Sequence, residues 1–119
     1  MKDGLILEFD GVLLYGDSLS ASAGVRLVNS FFDLSSSDKG KVLVVEKLST
    51  VTVLKAEVVG TVAIITKNGP SDLNDGRIKI SLPIISLLET DFNKLLSSNL
   101  EGVKKVSIDK DQDKLFLEV

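Results

Sequence analysis

The chain has 119 residues, 44% hydrophobic and 26% charged, with 14 Lys and Arg against 17 Asp and Glu for a formal net charge of −3. That is the balance of a folded globular chain rather than a disordered one, and the length suits a single domain over residues 1–119 with one core. Histidine, cysteine and tryptophan are absent, which excludes an imidazole general base, Ser-His-Asp catalysis, thiolate chemistry and the usual zinc sites.

The acidic balance repels a phosphate backbone, so nucleic acid is not an expected partner. Membrane is not expected either, since no stretch approaches the roughly 18 consecutive apolar residues of a spanning helix. Asp3, Glu8 and Asp10 interrupt the start in a way that does not suit a signal peptide, and a cytoplasmic or otherwise intracellular location follows as the expectation. Aromatic residues make up only 5%. The core must therefore be built from Val, Ile and Leu, and β-branched side chains favour strands.

In residues 5–15, Leu5, Leu7 and Phe9 alternate with Ile6, Glu8 and Asp10, and an apolar run resumes after Gly11. This predicts either two strands turning at Asp10-Gly11 or one longer strand with a glycine bulge. Residues 17–34 open with the helix-capping residues Asp17 and Ser18 and place Ala21, Val25, Val28 and Phe32 at helical spacing, which predicts a short amphipathic helix. The same segment also reads as a strand with Val25, Leu27, Asn29 and Phe31 on one face.

Residues 41–48, 50–59 and 61–67 are dense in valine and isoleucine with short separators, and predict three consecutive antiparallel strands. A polar loop over 68–76 follows, then an alternating strand over 77–82 that should meet an edge or bend at Pro83. Thr90 is placed to cap a helix over 90–99 with Phe92 and Leu95 on one face, and residues 103–119 read as a hairpin. Together these predict a predominantly β α+β fold: an antiparallel meander sheet, as a sandwich or half-barrel, with one or two short helices.

Residues 5–18, LILEFDGVLLYGDS, resemble the first motif of haloacid-dehalogenase-type phosphatases, where a strand ends in Asp-x-Asp-Gly. Here Glu8 occupies the nucleophile position and Asp10 the acid/base position. The resemblance implies a parallel sheet and a later acidic pair for magnesium, and the extra methylene of Glu8 displaces the attacking oxygen. Asp109, Asp111 and Asp113 have the spacing of the first three ligands of a calcium loop, but Lys114 stands where glycine is needed and no twelfth ligand follows. Asp72, Asn74, Asp75 and Gly76 make a second oxygen-rich loop. Both are explained by turn chemistry and solvation.

No catalytic, cofactor-binding or metal-binding residue is therefore assigned. The expected function is a non-catalytic protein-interaction or structural module within an oligomer or larger assembly, with Phe31 or Phe32 as a candidate exposed anchor. A β domain binding a small apolar ligand in a half-closed sheet is the alternative, and a carboxylate-dependent enzyme using Glu8 and Asp10 a third reading. Ile84, Ile85, Leu87 and Leu88 are too apolar for water, and belong either under the helix or at a subunit contact.

Overall fold

The computed structural model describes residues 5–29, 31–68, 81–98 and 100–119. In chain order the elements are β1 (Ile6–Tyr15), β2 (Leu19–Ala21), β3 (Val25–Leu27), β4 (Val42–Lys47), α1 (Thr50–Val59), β5 (Ala63–Asn68), β6 (Ile84–Leu87), α2 (Glu89–Leu96), β7 (Lys105–Asp109) and β8 (Lys114–Glu118). Short 3-10 turns occupy Phe31–Asp33, Ser36–Asp38 and Leu100–Gly102. Strands outweigh helices, as expected, and the eight strands among the described residues form one sheet in the order β2-β7-β8-β1-β6-β5-β4-β3.

The sheet is mixed. β2, β7, β8, β1 and β6 pair antiparallel in sequence across the sheet, whereas β6, β5, β4 and β3 are all parallel neighbours. The expected antiparallel meander over residues 41–67 is thus corrected: β4 and β5 are parallel, Val42 opposite Ala63 and Val44 opposite Ile65, and residues 50–59 form the crossover helix α1. Antiparallel neighbours accept a tight turn, but parallel ones need such a crossover.

Helix formation at residues 50–59 overrides the strand preference of their valines and threonines. Ser49 Oγ accepts the Thr52 N–H at 3.2 Å, and Gly60, at φ 94°, closes the other end by donating its N–H to the Ala56 carbonyl. Thr52, Val53 and Ala56 turn inward against the sheet. That left-handed cap is available to glycine at little cost.

The expected helix over 17–34 is not formed. Residues 19–21 and 25–27 are the two edge strands, and Val25 packs inward as in the strand reading of that segment. Their link, from Ala21 to Val25, spans at most about 14 Å, so the opposite edges of the sheet are drawn together and the sheet curls into an open half-barrel. The Ala23 N–H donates to the Lys104 carbonyl, continuing the β2–β7 pairing into that link.

Beyond β3, the connection to β4 is fastened by a buried carboxylate. Asp38 is fully buried, its Oδ2 accepting from Arg26 Nη1 at 2.6 Å and from the Ser35 N–H at 3.1 Å.

The core has two parts, one on each face of the sheet. Phe9, Val42, Val44, Ile65, Ile85 and Leu117 lie on the inner face with Phe92 and Leu95 of α2. Leu43, Val45, Ile64 and Ile84 lie on the outer face beneath Val53 and Ala56 of α1. The apolar segment after Pro83 is therefore core at Ile84, Ile85 and Leu87, while Leu88 is exposed.

Pro83 does not mark an edge, because β6 lies between β1 and β5. It stands just before the first strand residue, where no ladder N–H is required. Residues 77–80 of the expected strand and the loop over 69–76 lie outside the described residues. Helix α2 begins after Leu88, so Thr90 sits inside its first turn and is not the cap. The hairpin over 103–119 forms as expected, with Val106, Ile108, Leu115 and Leu117 inward.

β1 joins the two halves. Residues 6–10 pair with β8 on one edge, and residues 11–15 pair with β6 on the other. Gly11 is the crossing point. A Cβ there would lie 2.5 Å from Leu87 Cδ2 and 3.0 Å from the Ser86 carbonyl oxygen. Where β6 ends, α2 covers the unpaired edge of β1: the Asp91 carboxylate accepts the Asp10 N–H, and Lys94 Nζ reaches the Glu8 carbonyl at 3.5 Å. A helix laid along an open edge removes it from pairing with other chains.

Two outcomes test this arrangement. Gly11→Ala should lower the urea midpoint by the equivalent of about 2 kcal/mol, the cost of overpacking a filled site. Ile85→Asp should abolish the native circular-dichroism signal of the isolated chain, because it places an unpaired charge at the centre of the inner core.

Candidate functional site

Three regions carry the polar chemistry of the described residues. The first contains Glu8 and Asp10, which project from the outer face of β1 where it pairs with β8. Lys114, the register partner of Asp10, places its Nζ 2.7 Å from Glu8 Oε2 and 2.6 Å from Asp10 Oδ1. The hydrogen bond to Asp10, then that to Glu8, holds the Lys114 ammonium well above the ordinary lysine range. Both carboxylates are thus brought together, but by a cation that occupies them. They stand mid-strand on an antiparallel pair, unlike the parallel strand implied by the phosphatase resemblance.

The second is the β7–β8 turn. Asp109 Oδ1 accepts the N–H groups of Asp111 at 3.0 Å and Gln112 at 3.2 Å, while Oδ2 accepts Gln112 Nε2 at 2.9 Å. Both oxygens of Asp109 are engaged in building the turn, and Asp113 adopts a left-handed φ of 53° within it. Among the described residues no three Asp or Glu side chains converge as metal ligands. Asp72, Asn74, Asp75 and Gly76 lie outside the described residues.

The third region was not singled out by sequence reasoning. At the carboxyl ends of the parallel strands β3 and β4, a cleft of about 330 Å3 opens beside α2. Leu27, Asn29, Glu46, Lys47, Phe92 and Leu96 line it. Phe92 is its buried floor, and Leu27 and Leu96 are apolar walls with partial exposure. Glu46 is engaged by Lys67 at 3.3 Å, and Lys67 also approaches Glu89 at 3.7 Å. The signal that marks this place is the β4-Leu48-Ser49-α1 junction, since open parallel sheets bind ligands beyond the carboxyl ends of their strands.

No protein-family model matches the chain, and no curated protein does. Solved structures do match. The chain is similar to aconitase X of Thermococcus kodakaraensis in its holo-form, with a TM-score of 0.60 at 16% identity, covering 93% of this chain and 98% of that one. It is also similar to a UPF0107 protein solved in solution by NMR, with a TM-score of 0.62 at 14% identity over 92% of this chain and 97% of that one. A zinc aminopeptidase from Bacillus subtilis matches with a TM-score of 0.53 at 12% identity; the match covers 99% of this chain but only 31% of that one. At these identities the likeness is one of fold alone.

The Lys114 cluster has a checkable pH signature. A raised lysine pKa contributes stability that is fully present below the unfolded-state value, near 10.4, and is lost only as pH rises through the folded-state value. Lys114→Gln should therefore lower the urea midpoint by the same margin at pH 7 and pH 9, and that margin should shrink as pH rises to about 11.5. A margin that stays constant between pH 9 and about 11.5 would place this ammonium in the ordinary lysine range.

Proposed function

We propose that this chain is a non-catalytic module that works through protein contacts, with the outer face of α1 as its contact surface and a second copy of the chain as the occupant. The observation that carries the reading is the exposure of Val51, Leu54 and Val58, at 54%, 42% and 88%, on the side of α1 turned away from the sheet. Their spacing of three and then four residues forms a single apolar stripe, the pattern of a two-helix seam. The 3-10 turn that packs beside α1 carries Phe32, exposed to 78%. Val58 and Phe32 are the two most exposed large hydrophobic side chains among the described residues.

These exposures amount to an apolar patch on the order of 400 Å2, the size at which the largest patch on a monomer is often functional. Two such patches meeting across a twofold axis bury on the order of 1,000 Å2 with their surroundings, the low end for a specific interface. A weak, concentration-dependent dimer is the physical consequence. A twofold contact uses the same surface on both copies, so a stripe of this kind is its own complement.

The comparisons bear on the fold of the chain and not on its role. The same architecture makes up nearly the whole of the aconitase X chain and about a third of the aminopeptidase chain.

Light scattering over a concentration series extending to several hundred micromolar should show the average mass rising from monomer toward dimer. Leu54→Lys should hold the mass at monomer while leaving the thermal midpoint nearly unchanged, as an exposed substitution does. Monomer at every concentration for the unaltered chain would remove the self-association reading.

A further inference from the structure

We propose that a notch on the outer face of β1, above Gly11, binds a short alkylammonium ion: an aliphatic stem with one cationic head. This site is separate from the α1 face and does not rest on it.

The notch follows from the change of partner along β1. At Gly11 the strand leaves β8 and takes up β6, and the turn that precedes β8 meets it there, the Gly11 N–H donating to the Asp113 carbonyl at 3.0 Å. On the outer face Asp10 and Val12 flank Gly11, which contributes backbone alone. Gln112 and Asp113 stand on one side and Ser86 and Leu88 on the other, enclosing about 230 Å3. No residue of α1 lines this space, because that helix packs on Leu43, Val45, Ile64 and Ile84 instead. A second cleft beside Leu14 shares Val12, Ser86 and Leu88 with the notch, so the apolar floor continues along the strand.

The walls select the stem. Val12 is 57% exposed and Leu88 67%, and both face the one notch. An aliphatic chain laid between them removes that surface from water.

The charges select the head. Lys114 is held between Glu8 and Asp10, a single ammonium against two carboxylates. Asp113 adds a third carboxylate, exposed and without an ion pair among the described residues. The turn leading to it carries Asp109 and Asp111 against Lys110. Beyond the second cleft Lys67 is already shared by Glu46 and Glu89, so no spare positive charge stands at that end either. An ammonium in the notch faces both Asp10 and Asp113 and donates to their oxygens, whereas an anion there meets the same two carboxylates and is repelled.

Amide chemical shifts of the full chain at pH 7, recorded during titration with butylammonium, methylammonium and butanoate, test the assignment. Butylammonium should give saturable shifts at Gly11, Val12, Ser86, Leu88 and Asp113, in the millimolar range that suits so few atoms. Methylammonium, lacking the stem, should bind about tenfold more weakly, and butanoate should produce no saturable shift there. Asp113→Asn should weaken butylammonium by about fivefold, the loss of one exposed ion pair. The rest of the spectrum should stay unchanged in that variant, because Asn accepts the left-handed backbone of position 113 as readily as Asp. Leu54→Lys on α1 should leave butylammonium binding as it was, so the two sites fail or stand independently. Shifts that do not saturate, equal binding of methylammonium or butanoate, or unchanged affinity in Asp113→Asn would each overturn the proposal.

Discussion

The sheet is organised by one strand that serves two partners. β1 spends its first half bonded to β8 on one edge and its second half bonded to β6 on the other, so the parallel and antiparallel halves share a single continuous backbone. The exchange takes place at Gly11, where β6 approaches too closely for any side chain. What each partner leaves uncovered must be closed otherwise. α2 does so beside β6, through Asp91 and Lys94, and that same helix supplies Phe92 and Leu95 to the inner core. The short link between β2 and β3 then draws the two sheet edges together around those side chains.

The antiparallel half was legible because one of its faces is wet. Val106 and Ile108 alternate with Lys105, Ser107 and Asp109, and Leu115 and Leu117 recur at the same period of two, which gave the strands and the hairpin directly. The parallel half is buried on both faces: Val42 and Val44 face one core, Leu43 and Val45 the other. A strand of that kind is a continuous apolar run with no period to read, so strand existence was recoverable but direction was not. The missed crossover helix is a further step. Thr-Val-Thr-Val alternates as a strand would, while the decisive marks are Ser49 and Gly60 at its two ends, one accepting an N–H and the other taking a left-handed turn.

The candidate site shows the same division. The residues that attracted attention as chemistry, Glu8, Asp10 and Asp109, lie on the solvated side of the antiparallel half and are engaged by Lys114 or by their own turn. The cleft is assembled from β3, β4 and α2, which meet only because β3 and β4 run parallel, a direction that the apolar runs do not encode. Phe32 is the exception: an adjacent phenylalanine pair implied that one ring would face outward, and its exposure needed no tertiary knowledge.

The double pairing of β1 also sets an order of events. Both of its partners lie in the last third of the chain, so during synthesis β1 emerges early and waits while the unit from β4 through α1 to β5 can already close around local contacts. A waiting apolar strand is an aggregation hazard, and Glu8 and Asp10 interrupt it with negative charge. Lys114 bridges them only when β8 arrives. The same two carboxylates that look like the beginning of an active site thus guard the nascent strand first and fasten the finished sheet last.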